Sequence, residues 1–318
     1  MEFIFASNGT LYYNMRGMAE GTSYNIIYQD DEERNFEPQI IDLLAEFESS
    51  LSVYDPASII SRINRNEDVE VDDYFCNVFS RAKEISILTD GKFDISAEPL
   101  FRAWGFSFEK KSDVTDESIS TLRQYIGMNN IELIDRRIVK SNPNIILNAN
   151  AIAKGYSSDL IAELFDKHNI KNYLVEIGGE IRVKGKNSNN ELWRIGIDRP
   201  SDNNLIPGQD MQVLFQLSDK GIATSGNYRQ YYIKDGRKIA HTIDPSTGYP
   251  VQHNLLSVTV VANDTITADA FATAFLVAGI DISKEWIKDF PYLDALFIYD
   301  ECGEYKVYYT EGIEKYII

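Results

Sequence analysis

Asp269 and Thr273, in the run Thr267-Ala-Asp-Ala-Phe-Ala-Thr273, stand four residues apart. That spacing brings two side chains to one face of a helix. A carboxylate and a hydroxyl, with no sulfur or imidazole beside them, suit Mg²⁺ rather than zinc. The competing reading is structural, with Asp269 capping the helix N-terminus and Thr273 bonding back to a carbonyl. Leu147-Asn-Ala-Asn-Ala-Ile-Ala-Lys-Gly-Tyr156 reads as a strand end turning into a helix. Small residues there admit a ligand to the backbone, and a helix N-terminus attracts anions. Lys154 falls in the first helical turn, where the macrodipole disfavours a cation, so its presence points to an anionic partner.

His241-Thr-Ile-Asp-Pro-Ser-Thr-Gly-Tyr-Pro250 supplies a histidine at the end of a strand, followed by the tight-turn residues Asp244–Gly248. His241 is a candidate general base, since an ordinary imidazole titrates near neutrality; the alternative is a structural histidine. Gly178-Gly-Glu180 and Ser225-Gly-Asn-Tyr228 read as bulges or turns, or as places where backbone meets phosphate. Asp90-Gly-Lys-Phe-Asp-Ile-Ser96 leads into Pro99-Leu-Phe-Arg-Ala-Trp-Gly-Phe106, an apolar and aromatic block that suits either a planar ring or an ordinary core. No Walker loop, no GxGxxG after a strand and no HExxH occurs. His168, His241 and His253 lie far apart in the chain, which leaves a histidine-rich zinc site without support.

The elements that must carry these residues follow from periodicity. A strand is expected over 23–28, then a helix with Ile40, Ile41, Leu44, Phe47 and Leu51 inward. A second helix is expected from Asp73 to Thr89, stopped by Asp90-Gly91. A weak helix near Glu117–Tyr125 and strands near Ile131–Ile134 and Ile145–Leu147 come next. A helix over Lys154–His168 precedes strands at Tyr173–Ile177, Trp193–Asp198, Gln212–Leu217, Tyr228–Lys234 and Ser257–Val261. Helices near Thr267–Ala278 and Ile282–Lys288 and a hairpin of Ala295–Tyr299 with Tyr305–Tyr309 complete the chain. Strands in runs, without strict βα alternation, indicate an α+β fold in one compact domain with a mainly antiparallel sheet.

Composition sets the outer bounds. The chain has 318 residues, 44% hydrophobic and 25% charged, a globular balance that excludes a disordered or collagen-like chain. Acidic residues outnumber basic ones 49 to 31, for a net charge of −18, so sequence-independent nucleic-acid binding is not expected. The 19 Tyr and 16 Phe suit strands and can face a planar ligand. Cys76 and Cys302 make no zinc spacing; one disulfide between them is arithmetically possible, but two buried free thiols are expected. The longest apolar stretch, Ala270–Ile280, is too short to span a bilayer, and the first residues lack the pattern of a signal peptide.

The motifs occur in the order of a family that the chain resembles, the ApbE-type FAD:protein FMN transferases. The resemblance runs from about Gly17 to the C-terminal strands. It rests on Gly21-Thr22, Leu51-Ser-Val-Tyr-Asp-Pro with Ser61-Arg-Ile-Asn64, Gly91-Lys-Phe-Asp94, Pro99-Leu with Trp104-Gly-Phe106, and Ala151-Ile-Ala-Lys-Gly-Tyr156. It continues through Gly178-Gly-Glu180, Thr224-Ser-Gly-Asn-Tyr228, His241–Gly248 and Ala268–Thr273. What the resemblance implies is a flavin transferase domain over residues 17–318 behind an N-terminal extension, residues 1–16, with an ApbE or T-fold-like architecture. The implied reaction splits FAD and joins FMN by a phosphoester to a Thr or Ser hydroxyl of an acceptor protein, a redox subunit, releasing AMP. FAD is then the substrate and Mg²⁺ the cofactor. By the same resemblance the metal falls to the Ala151 carbonyl, Asp269 and Thr273, and the flavin to Tyr54, Lys92, Phe93, Asp94, Asn148, Lys154 and Ile243. His241 matches the histidine that activates the acceptor hydroxyl. Asn148 stands where an aspartate is common, Asn227 likewise, and Glu20 where a methionine or glutamine is usual. The resemblance also implies a bacterial cell-envelope location, at the outer face of the inner membrane or in the periplasm. A lipid anchor on a full precursor stays open, since no lipobox cysteine is present.

Overall fold

The computed structural model describes residues 2–5, 10–107, 114–200, 210–227, 231–234 and 237–318. A nine-stranded sheet forms its spine, in the order β1 (Glu2–Phe5), β2 (Leu11–Ala19), β3 (Thr22–Gln29), β6 (Asn172–Ile177), β7 (Glu180–Lys184), β10 (Lys220–Gly226), β15 (Leu255–Ala262), β16 (Asp294–Glu301) and β17 (Glu304–Tyr309). Every pairing in it is antiparallel. Four two-stranded pairs sit outside it: β4 (Ile131–Ile134) with β5 (Arg137–Lys140), β8 (Trp193–Asp198) with β9 (Met211–Leu217), β11 (Tyr231–Lys234) with β12 (Arg237–Ala240), and β13 (Ile243–Asp244) with β14 (Tyr249–Pro250). The helices are α1 (Glu37–Leu51), α2 (Ile59–Asn64), α3 (Asp73–Leu88), α4 (Glu98–Ala103), α5 (Asp116–Arg123), α6 (Ala153–Lys167), α7 (Thr265–Ala278) and α8 (Ile280–Trp286). No helix among the described residues is long and apolar enough to cross a membrane.

The α+β, mainly antiparallel class expected from the strand runs is what forms. The sheet separates two cores. One face packs on α6 and α7 through residues such as Val258, Val260, Phe271 and Phe275, and on α1 through Tyr28, Phe36 and Phe165. The other face carries Leu174, Ile181, Val183 and Ile222 beneath Trp193, Ile195 and Ile197 of β8. The burial of α7 is nearly complete around its circumference, so it lies inside the molecule rather than along its surface. Close contact between α6 and α7 needs Gly155, since a Cβ there would stand 2.5 Å from the Thr265 carbonyl oxygen and 2.8 Å from the Asp269 Cβ.

Several local expectations need correction. Ile145–Leu147 is not a strand; only an isolated parallel bridge joins Ile146 to Ala97. Cys302 is exposed and Cys76 half-buried, so both are free thiols but neither is a core residue. Gly178 and Gly179, both at positive φ, form the turn between β6 and β7. The expected strand Tyr228–Lys234 is seen as β11 from Tyr231; its first three positions lie outside the described residues.

Candidate active site

Asp264 caps α7 by accepting from the Thr267 N–H (3.0 Å). Asp269 is therefore not the cap: it lies one turn inside the helix and accepts instead from the Gly155 N–H at 3.0 Å. A second carboxylate, Asp159 on α6, accepts from the N–H groups of Thr265 (2.9 Å and 2.8 Å) and Ile266 (2.8 Å). The otherwise unpaired donors at the α7 N-terminus are thus satisfied from α6, and the register between α6 and α7 is fixed. That register sets Lys154 and Asp269 on the same side of the helix pair.

Lys154 meets Glu180, at the start of β7, with Nζ 2.6 Å from Oε1. Burial alone would lower the Lys154 pKa, but Glu180, Asp269 and Glu20 outweigh it and hold it above its ordinary value. Asp269 is pushed upward, first by burial and then by Glu180. The Thr273 hydroxyl is 3.1 Å from the Ser225 hydroxyl on β10. Periodicity does not reveal β10 as a strand, although its Ser225 run stands out as a candidate turn or ligand contact.

On the opposite wall, Lys92 bridges Asp244 Oδ2 (2.6 Å) and Ser246 Oγ (2.8 Å), tying the α3 end to the β13–β14 turn. Gly248, at positive φ, closes that turn with its N–H on the Asp244 carbonyl at 2.7 Å. Asp94 is raised by burial and accepts from the Ser96 N–H and hydroxyl (2.8 and 2.6 Å) and from the Met128 N–H (3.2 Å). Asn148 donates from Nδ2 to Glu98 Oε2 (2.7 Å). Glu98, 2% exposed, also accepts from Arg102 (2.9 Å) and Ser107 (2.5 Å). His241 follows β12 and meets the Phe106 ring edge-on, 6.3 Å between centroids.

These walls enclose one cleft of about 1330 Å³. Tyr54, Lys92, Phe93, Asp94, Asn148, Ala151, Lys154, His241, Ile243, Asp269 and Thr273 all line it. Every residue assigned a chemical role from the sequence therefore reaches the same space. Tyr54 stands at its mouth, 69% exposed, whereas Phe93 and Ile243 are each 1% exposed and anchor the wall from the core. Sequence reasoning missed Glu98, whose signal was an Arg102 partner one helical turn away; it places the β8 strand at Trp193–Asp198 as observed but does not connect its six residues with the cleft they border.

A model described as the ApbE family matches residues 20–297. The chain belongs to the ApbE family. Among relatives, a protein of Haemophilus influenzae named FAD:protein FMN transferase is 34% identical over 292 residues, 87% of this chain and 83% of that one. One of the same name from Vibrio cholerae is 35% identical over 275 residues, covering 84% and 81%. The solved structure of the flavin transferase ApbE from Vibrio cholerae superposes with a TM-score of 0.85 at 31% identity, covering 96% of this chain and 99% of that chain. The apo form of the Pseudomonas stutzeri flavinyl transferase ApbE gives 0.86 at 27% identity, covering 99% and 98%.

Glu20 gives this ApbE chain a pH-dependent feature. Its Oε1 is buried without a hydrogen-bond partner, and its backbone N–H donates to Glu48 Oε1. Burial chiefly, with Glu48 and Glu180, lifts its pKa to about 7 against the pull of Ser157 and Lys154. A carboxylate raised in the folded state binds its proton more tightly there, so stability falls as pH rises from the ordinary carboxylate range through about 7. Glu20→Gln is expected to raise stability by on the order of 2 kcal/mol at about pH 8 and to change it little at about pH 5. Denaturant melts at the two pH values check this, and equal gains at both would contradict it.

Proposed function

We propose that this protein is a Mg²⁺-dependent FAD:protein FMN transferase, moving FMN from FAD to a Thr or Ser hydroxyl of an acceptor protein and releasing AMP. Family membership and the names of the relatives support flavin transfer. The observation that carries the finer reading is the joint placement of Lys154, Asp269, Thr273 and His241 on one cleft large enough for a dinucleotide and an incoming chain. A drug-sized ligand needs only about 300–1,000 Å³.

The residues at the α7 end fit a hard cation. The donors are oxygens, the Asp269 carboxylate is 4% exposed, and Glu180 Oε2 is buried with no partner. Among the described residues no cluster of three or more His, Cys, Asp or Glu forms a closed metal cage. That pattern matches Mg²⁺, which is held by one or two carboxylates while substrate phosphates and water complete its shell. The Ala151 carbonyl, Asp269 and Thr273 would hold the ion, which when bound neutralises charge on the bridging phosphates.

The chain's own groups do the rest. Lys154, kept protonated by its acidic neighbours, presents a positive charge to the departing phosphate oxygens. Glu180 holds the lysine in place from β7. His241 accepts the proton of the acceptor hydroxyl, a contribution of typically about 10²–10⁴-fold. Phe101 and Phe106 offer aromatic surface along the flavin side of the cleft. Asn148, oriented by Glu98, is a neutral hydrogen-bonding group toward the nucleotide. We place the reaction at the outer face of the inner membrane or in the periplasm on family resemblance, a proposal that cell fractionation tests.

Incubation with FAD, Mg²⁺ and a Thr- or Ser-bearing acceptor is expected to add the mass of FMN to the acceptor and release AMP. An unmodified acceptor alongside intact FAD binding would refute transfer. Free FMN and AMP forming at the same rate without acceptor would make the protein a pyrophosphatase.

A further inference from the structure

We propose that the acceptor protein presents its target hydroxyl on an extended segment that adds as a strand to the edge of β8 opposite β9. This rests on the flavin-transfer reading and specifies how its second substrate is held.

The β8–β9 pair lies as a second layer on the outer face of the large sheet, with Trp193, Ile195 and Ile197 buried against it. Residues Phe215 and Ile317 form an antiparallel bridge, and the Ile318 N–H donates to the Leu214 carbonyl at 3.0 Å. The far edge of β9 is therefore occupied by the end of the chain. The Leu214 carbonyl must point away from β8, and Gly196 is its register partner. In an antiparallel ladder, such a pair is the one not hydrogen-bonded to each other. The N–H and C=O of Gly196 thus face the opposite edge of β8, as do those of Arg194, two residues earlier. Among the described residues no strand or bridge is assigned to that edge.

The edge faces the cleft. All six residues from Trp193 to Asp198 border it in unbroken succession, although their side chains alternate between buried and exposed faces. Only a strand seen from its edge shows both sets to one cavity. Gly196 has no side chain to screen its polar groups. Six residues give about 20 Å of edge. The floor alongside is the outer face of the sheet, where Ile27 pairs with Leu174 and Asn25 with Glu176. Farther along the same floor come Gly178, Gly179 and Glu180, and then Lys154.

Transfer to a protein requires a polypeptide to enter a cleft already bordered by the nucleotide site. Lys154 lies within the cleft with 28% of its side chain exposed, and an extended segment is the narrowest form in which a polypeptide can approach it. Pairing with Arg194 and Gly196 supplies sequence-independent backbone hydrogen bonds, and alternate side chains meet the floor. The partner's chemistry follows: a β-compatible segment with an apolar side chain over Ile27 and Leu174, a hydrogen-bond donor over Glu176, and the Ser or Thr hydroxyl beyond it.

The probe is a randomised nine-residue peptide library with one central threonine, incubated with FAD and Mg²⁺, from which peptides that gain FMN are sequenced. Each of the best peptides is then remade with single N-methyl groups along its backbone. Strand addition predicts that N-methylation at alternate positions raises KM by about tenfold while the intervening positions are neutral. Gly196→Pro, which removes an edge donor, is expected to raise the peptide KM similarly, with kcat at saturating peptide kept. Gly196→Ala, which keeps the N–H and meets only the flexible Met211 side chain, is expected to stay close to wild type. Thermal melts confirm that both variants fold. An N-methyl scan without period-two sensitivity overturns the proposal even if Gly196→Pro misfolds. So does a concentration-dependent dimer that Gly196→Pro abolishes, because the edge would then belong to a second copy. Labelled peptides indifferent to these changes refute the edge alone, whereas wild-type protein that labels no peptide refutes the transfer reading with it.

Discussion

Asp269→Asn is expected to lower FMN transfer by at least about 10²-fold while leaving the metal-free protein as stable as wild type or more so. The two effects part because Asp269 is poorly suited to a purely structural role. It sits inside α7, not at its cap, and Asp264 and Asp159 already serve the helix N-terminus. Its single described bond is from the Gly155 N–H, which an asparagine Oδ1 can accept equally well. Burial and the nearby Glu180 both disfavour its charge, so a neutral isostere removes that cost in the absence of cation. On the proposed metal role, a bound divalent ion would reverse the balance, because the same buried charge would become its ligand. Melting curves with and without millimolar Mg²⁺ provide a readout independent of activity. Wild type should gain stability with Mg²⁺ through mass action and Asp269→Asn should not. Matched losses of activity and stability, with the Mg²⁺ shift retained, would make Asp269 a packing residue.

The legibility of this site in the sequence varies with the kind of interaction that forms it. Local chemistry is readable: the i,i+4 spacing of Asp269 and Thr273, the lysine at a helix start, and the turn residues after His241 each reflect one element. Long periodic segments such as α3 and α6 are equally plain, because an apolar stripe repeating every three to four residues can be buried on one side only by a helix. The strands β2, β7 and β10 are harder to read. The sequence of β10, Lys-Gly-Ile-Ala-Thr-Ser-Gly, has weak strand propensity. It is held by partners on both sides, β7 and β15, that are remote in the chain. Glu180 is visible only as the end of a glycine turn, and its pairing with Lys154 across 26 positions depends on that same sheet. Resemblance to a family collects the scattered motifs, and the cleft accounts for why they occur together. The capping alternative for Asp269 fails for a local reason: the helix starts one turn earlier, at Thr265.

Lys154→Met should destabilise the metal-free protein by about 2–3 kcal/mol at about pH 8. Breaking a fully buried ion pair by removing one partner typically costs roughly 3–5 kcal/mol; the lysine side chain is 28% exposed, so solvent screens part of the effect. The cost arises from what remains. Glu180 is only 7% exposed, and Asp269 and Glu20 draw on the same positive charge. The raised Lys154 pKa itself adds no pH dependence near neutrality, because its contribution is fully present below the ordinary lysine pKa and is lost only above it. The carboxylates do add one. With the lysine gone, Asp269 and Glu20 are pushed further up and take on protons as pH falls, so the deficit should shrink toward about pH 5. Lys154→Arg keeps the charge but not the compact ammonium, and should recover most of the stability while transfer stays impaired. Denaturant unfolding of the three proteins in chelator at both pH values checks the pattern. A deficit in Lys154→Met that is the same at both pH values would mean that lost packing of the lysine stem, not unpaired negative charge, dominates.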